Sequence, residues 1–149
     1  MTQFEPKNSD FRADATATFA AQPAMRTLGI ALSRLEPGEV ELSMAYSPAF
    51  TQQHGFVHAG IITAGLDNAC GIATLMPKGA GILTVEFKTN LLAPARGTQF
   101  MFRASVVKPG RTLTFCEARA FAQDKGVETL IATMSGTLMA IPSQIQHQV

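Results

Sequence analysis

Residues 58–76 read HAGIITAGLDNACGIATLM, and no other part of the chain constrains the architecture so tightly. The run stops at Pro77 and the glycines at 79 and 81. It holds too many Ala and Gly residues, and too little alternation, for a strand. It reads as one long helix. Ile62, Leu66, Ala69, Ala73 and Met76 form one apolar stripe at helical spacing, and Ile61, Ile72 and Leu75 a second. Gly60, Ala64, Gly65 and Gly71 keep its waist thin. The stretch 56–76 is apolar enough to raise the question of a membrane span, but it contains His58, Asp67 and Asn68, and a carboxylate at mid-bilayer is costly. A buried helix of a soluble protein is the better reading.

Downstream the period changes to two. Leu83, Val85, Phe87, Thr89 and Leu91 are expected on one strand face, with Thr84, Glu86, Lys88 and Asn90 on the other. Three more strand-like runs follow, 98–108, 112–122 and 128–141, separated by Pro94-Ala95-Arg96-Gly97, Pro109-Gly110 and Gln123-Asp124-Lys125-Gly126. Upstream, 28–35 and 40–46 pair about Glu36-Pro37-Gly38-Glu39, after a short helical lead-in over 14–25 broken near Pro23. The expected order is a short helix, two strands, one long helix and four strands in a meander. One helix covers six strands only if the sheet curls around it, which makes this an α+β fold. The domain spans 14–149, after a loosely held polar segment 1–13. Its open sheet edges predict pairing between subunits.

The 149 residues are 46% apolar, enough for one core without disulfides or metals. With 15% charged residues and a net charge of +1, no broad positive field exists to hold a nucleic acid. Cys70 and Cys116 lie inside apolar runs and read as reduced core thiols. The N-terminus MTQFEPKNSDFRAD lacks the apolar stretch of a signal peptide or anchor, so the expected address is cytoplasmic.

Asp67 is the informative residue, because an aspartate within an apolar helix is expensive to bury unless it is paired or reaches a polar cleft. Small residues at 60, 63, 64, 71 and 74 share its face and leave room for a substrate or a partner chain. Two readings stand: a functional carboxylate, or one that fastens a loop or a neighbouring subunit. The segment His54-Gly55-Phe56-Val57-His58-Ala59-Gly60 delivers the helix start, whose unpaired amides suit a developing oxyanion. Asp67 lies roughly 10 to 13 Å further along the axis at 1.5 Å per residue. Two antiparallel copies of the helix across a dyad would bring the start of one near the middle of the other.

The run Gln52-Gln53-His54-Gly55-Phe56-Val57-His58-Ala59-Gly60, then Leu66-Asp67-Asn68-Ala69, then residues 83–95 (LTVEFKTNLLAPA) resembles the PaaI-like branch of the hotdog-fold acyl-CoA thioesterases. The similarity covers about 28–139, including the hairpin Lys108-Pro109-Gly110-Arg111-Thr112-Leu113. It implies hydrolysis of an acyl- or aryl-CoA thioester with Asp67 as general base or nucleophile, and a homodimer or dimer of dimers with sites built from both chains. It implies no metal and no organic cofactor.

The resemblance also implies particular roles. The helix-start backbone amides of Ala59 and Gly60 form the oxyanion hole, with Ala59 standing at the family's donor, the middle glycine of HGG, and Gly60 matching the last glycine. His58 holds the loop and polarises the site, or is a structural histidine. Gln52 stands where family members carry an asparagine near the thioester, with His54 a further pocket residue. Thr84 orients the attacking water, or is a strand threonine facing elsewhere. Phe56, with Phe50, Leu75 and Met76, walls an apolar acyl pocket, while Lys88, Arg96, Lys108 and Arg111 could meet coenzyme A phosphates. A His54–His58–Asp67 metal site is the weaker reading, because Gly55 disturbs helical ligand spacing. A noncatalytic acyl-CoA-binding module and a hotdog hydratase or dehydratase are the alternatives. The last finds His58 but no dehydratase motif around Glu86 or Glu117.

Overall fold

The computed structural model describes residues 4–74 and 77–142. Leu75 and Met76, placed by the sequence reading at the end of the long helix and in the acyl pocket wall, lie outside the described residues. The elements are α1 (Phe11–Ala20), α2 (Pro23–Leu28), β1 (Ile30–Glu36), β2 (Glu39–Ala45), a 3-10 turn (Pro48–Phe50), α3 (Ala59–Ala73), β3 (Gly81–Leu91), β4 (Gln99–Lys108), β5 (Leu113–Asp124) and β6 (Val127–Ile141). The lead-in helix begins at Phe11, three residues earlier than expected, and Pro23 opens α2, where its missing N–H costs nothing.

All six strands form one antiparallel sheet in the order β1-β2-β4-β5-β6-β3, wrapped around α3. This is the expected α+β architecture, with one correction. The last four strands are not a meander, because β3 pairs with β6 and lies at the far edge from β1. Pro94-Ala95-Arg96-Gly97 is therefore not a hairpin turn. Its segment is drawn elsewhere: Leu92 and Ala93 donate their amides to Ile131 O, and Ala95 O accepts from Val57 N. The α3 crossover carries the chain across the sheet before β3 forms.

The inner face of the sheet and α3 make the core. Val40, Leu42, Phe100, Phe102, Ala118, Ala120, Met134 and Leu138 meet Ile62, Leu66, Ala69 and Ala73, the apolar stripe anticipated for the helix. A Cβ built on Gly65 would fall 2.5 Å from the Phe102 ring, so this glycine sets how closely α3 approaches β4. Both cysteines are buried, free thiols. A hydrogen bond with Cys116 and burial push the Cys70 thiol up, which keeps it inert.

Strict alternation fails in β3. A bulge between Thr84 and Glu86 shifts the register, so Thr84, Phe87, Thr89 and Leu91 lie opposite the inward-facing Leu138, Gly136, Met134 and Ala132 of β6. Leu83 and Thr84 thus exchange the faces expected from period two.

Candidate active site

Asp67 sits on α3 one turn beyond Thr63, half-buried. Its Oδ1 accepts a hydrogen bond of 2.8 Å from Thr84 Oγ1, which the β3 bulge turns toward the helix. Among the described residues Asp67 has no cationic partner, so a neutral hydroxyl alone positions the carboxylate and Oδ2 stays free. The two residues line a cavity of about 360 Å³ with Thr18, Gln22, Asn68 and Ile82. Gln22 and Asn68 were missed in the sequence. Asn68 Nδ2 donates to Gln22 Oε1 at 2.5 Å, while Asn68 Oδ1 is buried without a partner among the described residues. Only the adjacency of Asn68 to Asp67 signalled it.

The helix start is built differently from its two candidate amides. His58 is the N-cap of α3, and its Nδ1 accepts from Gly60 N at 2.9 Å. The ring therefore carries its hydrogen on Nε2. A Cβ on residue 60 would come within 3.1 Å of that Nδ1, which explains the glycine. Gly60 N–H is consumed by the cap. Ala59 N–H, by contrast, has no acceptor among the described residues.

Ala59 borders a second cavity of about 490 Å³, lined chiefly by apolar side chains that include Phe56, Ile62, Leu91, Leu92 and Ile131. Gln52 reaches the same cavity. Its side-chain Oε1 accepts from His54 N and its backbone O from Gly55 N, which closes the loop before the helix with Gly55 at φ +82°. His54 itself is exposed on that loop. His54 and His58 do not share a helix face, and among the described residues no group of three His, Cys, Asp or Glu side chains converges.

The four candidate phosphate partners are exposed and are not gathered in one place. Lys88 faces away from α3, opposite Ser135. Arg96 follows the apolar cavity wall at Pro94 and Ala95. Lys108 and Arg111 flank the β4–β5 hairpin, at the opposite end of the sheet from Arg96. The structure thus brings Thr84 to Asp67, and Gln52 and Phe56 to Ala59, but keeps the two groups in separate cavities. Among the described residues no helix is long and apolar enough to cross a membrane.

The thioesterase superfamily profile matches residues 54–129, the span from the loop before α3 to the start of β6. A thioesterase family protein of Silicibacter pomeroyi is 54% identical, with 89% of this chain and 98% of that one covered at a TM-score of 0.87. The PaaI protein from the phenylacetic acid degradation operon of E. coli, 17% identical, shares the fold at a TM-score of 0.79 over 89% of this chain and 94% of its own. A protein of Saccharolobus solfataricus described as a candidate esterase is 30% identical over 98 residues, 65% of this chain and 70% of that one.

Proposed function

The chain belongs to the thioesterase superfamily and is a thioester hydrolase, and on that premise we propose that it cleaves an acyl- or aryl-CoA thioester to the free acid and CoA. The observation that carries this reading is the Thr84–Asp67 hydrogen bond, which fixes at a cavity wall a carboxylate that has no cationic partner among the described residues. Asp67 either takes a proton from water as that water attacks the thioester carbonyl, or attacks the carbonyl itself to give a mixed anhydride that water then hydrolyses. Either way the thiolate of CoA leaves, and negative charge builds on the carbonyl oxygen. Ala59 N–H is the donor for that charge, aided by the positive end of α3. His58 holds the first turn by occupying Gly60 N–H, and Gln52 shapes the loop over the thioester.

Asp67 and Ala59 lie eight residues apart on one helix, too far to serve one carbonyl within a chain. A dyad closes the gap. β3 is an edge strand carrying exposed Leu83, Val85, Phe87 and Leu91, the profile of a strand that pairs. Antiparallel pairing with its copy sends the Thr84 end of one β3 toward the Leu91 end of the other, beside the apolar cavity at Ala59. Each carboxylate then faces the other protomer's amide. The same operation carries a second copy's Arg96 toward Lys108 and Arg111, which suits the phosphates of CoA, while Lys88 stays outside. The buried free thiols fit a cytoplasmic address.

A thiol-release assay against a panel of acyl- and aryl-CoA esters tests the reading. Asp67→Asn, almost isosteric, is expected to leave a folded oligomer and to lower turnover by about 10² to 10⁴. Tight acyl-CoA binding by the unaltered protein without thiol release would favour the noncatalytic alternative instead.

A further inference from the structure

We propose that the pantetheine arm of CoA lies in the Asp67 cavity and that the side-chain carbonyl of Asn68 accepts a hydrogen bond from the arm's first amide N–H. The proposal rests on the thioesterase reading and deepens it. Asn68 follows Asp67 on α3, with Cα atoms about 3.8 Å apart, so a thioester held at the carboxylate brings its neighbouring atoms past Asn68. That side chain is half used. Its Nδ2 donates to Gln22 Oε1, while Oδ1 is buried with no donor among the described residues. A buried acceptor without a donor is costly and calls for an explanation. Gln22 is the N-cap of α2, yet its side chain caps no amide there, so its hold on Asn68 is a lone contact that an incoming donor can displace.

The polarity of the two cavities sorts the two parts of the substrate. The Asp67 cavity carries Thr18, Gln22, Asn68 and Thr84 beside Ile72 and Ile82, whereas the Ala59 cavity is lined chiefly by apolar side chains. Secondary amides buried against apolar walls would go unpaired, and an acyl group gains most where those walls are. The arm therefore takes the Asp67 cavity of one copy, and the acyl group the apolar cavity that the dyad brings up from the other.

The sheet register gives the same direction. Leu83, at the Asp67 cavity, pairs with Met139, which pairs in turn with Leu113. This cavity thus lies at the end of the sheet where Lys108 and Arg111 flank the β4–β5 hairpin, and an arm running that way carries the phosphates of CoA toward those cations. The donor nearest the reacting carbonyl is set by the chemistry of CoA: two methylene carbons follow the sulfur, and then an amide N–H. Every CoA ester has it. Asn68 accordingly reads the arm and not the acyl group.

Two small thioesters, made from the acid whose CoA ester turns over fastest, isolate this contact. The N-acetylcysteamine thioester keeps the first amide, and the S-(2-acetoxyethyl) thioester puts an ester oxygen where that N–H stood, with every other heavy atom retained. Thiol release by the unaltered protein is expected to favour the amide about tenfold in kcat/KM. Asn68→Leu, with unchanged circular dichroism, is expected to hydrolyse the two with kcat/KM values within about twofold of each other. An unaltered protein indifferent to the exchange of N–H for oxygen, or an Asn68→Leu variant that keeps the preference, would overturn the proposal. Thiol release from neither compound, nor from any acyl-CoA, would instead remove the thioesterase reading beneath it.

Discussion

Thr84 Oγ1 donates to Asp67 Oδ1 across 2.8 Å, tying the edge strand of the sheet to the middle of the central helix. A hydrogen bond to a charged group is worth about 1.5 to 3 kcal/mol. Thr84→Val keeps the shape and removes the donor, so kcat is expected to fall about ten- to a hundredfold while the fold is retained. Thr84→Ser restores the donor and most of the rate. A valine variant with unaltered kcat in steady-state thiol release would remove Thr84 from the site.

Gly65 faces the ring of Phe102, which is fully buried, and an added methyl would lie 2.5 to 2.7 Å from three ring atoms. Helix propensity alone makes Gly→Ala favourable by about 1 kcal/mol, whereas overpacking a filled core costs about 1 to 3 kcal/mol. Gly65→Ala is expected to lose stability in chemical denaturation. Gly71→Ala would meet only Leu138 Cδ2 at 3.8 Å, an ordinary contact, and is expected to hold or gain. The reverse ranking would contradict the packing described for α3 against β4.

Arg103 bonded to Glu128 holds that carboxyl below its ordinary value of 4.5. A carboxyl whose folded pKa is depressed contributes stability above its unfolded pKa and loses it as pH falls through the folded value. The stability difference between the unaltered protein and Glu128→Gln is therefore expected to be present at neutral pH and to shrink as acid takes the solution below about pH 4.5. The pair is partly exposed, so salt should weaken it as well. Denaturation midpoints of both proteins across pH check this, and a difference independent of pH would contradict it.

The fold was legible where local pattern and burial coincide. The apolar run 58–76 could only be a surrounded helix, and the stripe Ile62, Leu66, Ala69 and Ala73 is buried as its spacing requires. Asp67 stood out because it interrupts that pattern. Alternation, however, reports which way a side chain points only while the register is unbroken, and the bulge between Thr84 and Glu86 inverts it at the residue that matters most. Nothing in the residue types at 83–87 marks that bulge. Nor does periodicity name a strand's neighbour, which is why β3 was expected beside β4 when Ile131 O and Val57 N draw the following segment away. The sequence offered two helix-start amides, Ala59 and Gly60, and the His58 ring separates them by capping Gly60 N–H.

The central claim is that each site joins Asp67 of one protomer to Ala59 N–H of another, and complementation tests it most directly. Ala59→Pro deletes that single amide. Ala59 is the first helical residue, where proline is tolerated, and His58 before it has ψ 137°, in the range a following proline requires. This variant is expected to fold and to lose about 10² to 10³ in kcat. Differently tagged Asp67→Asn and Ala59→Pro chains should then be co-expressed and the mixed dimers isolated alongside the pure ones. Shared sites predict that each pure variant is nearly inactive and that the mixed dimer recovers about half of normal turnover, because one of its two sites has both groups intact. A mixed dimer no more active than its parents would contradict the account.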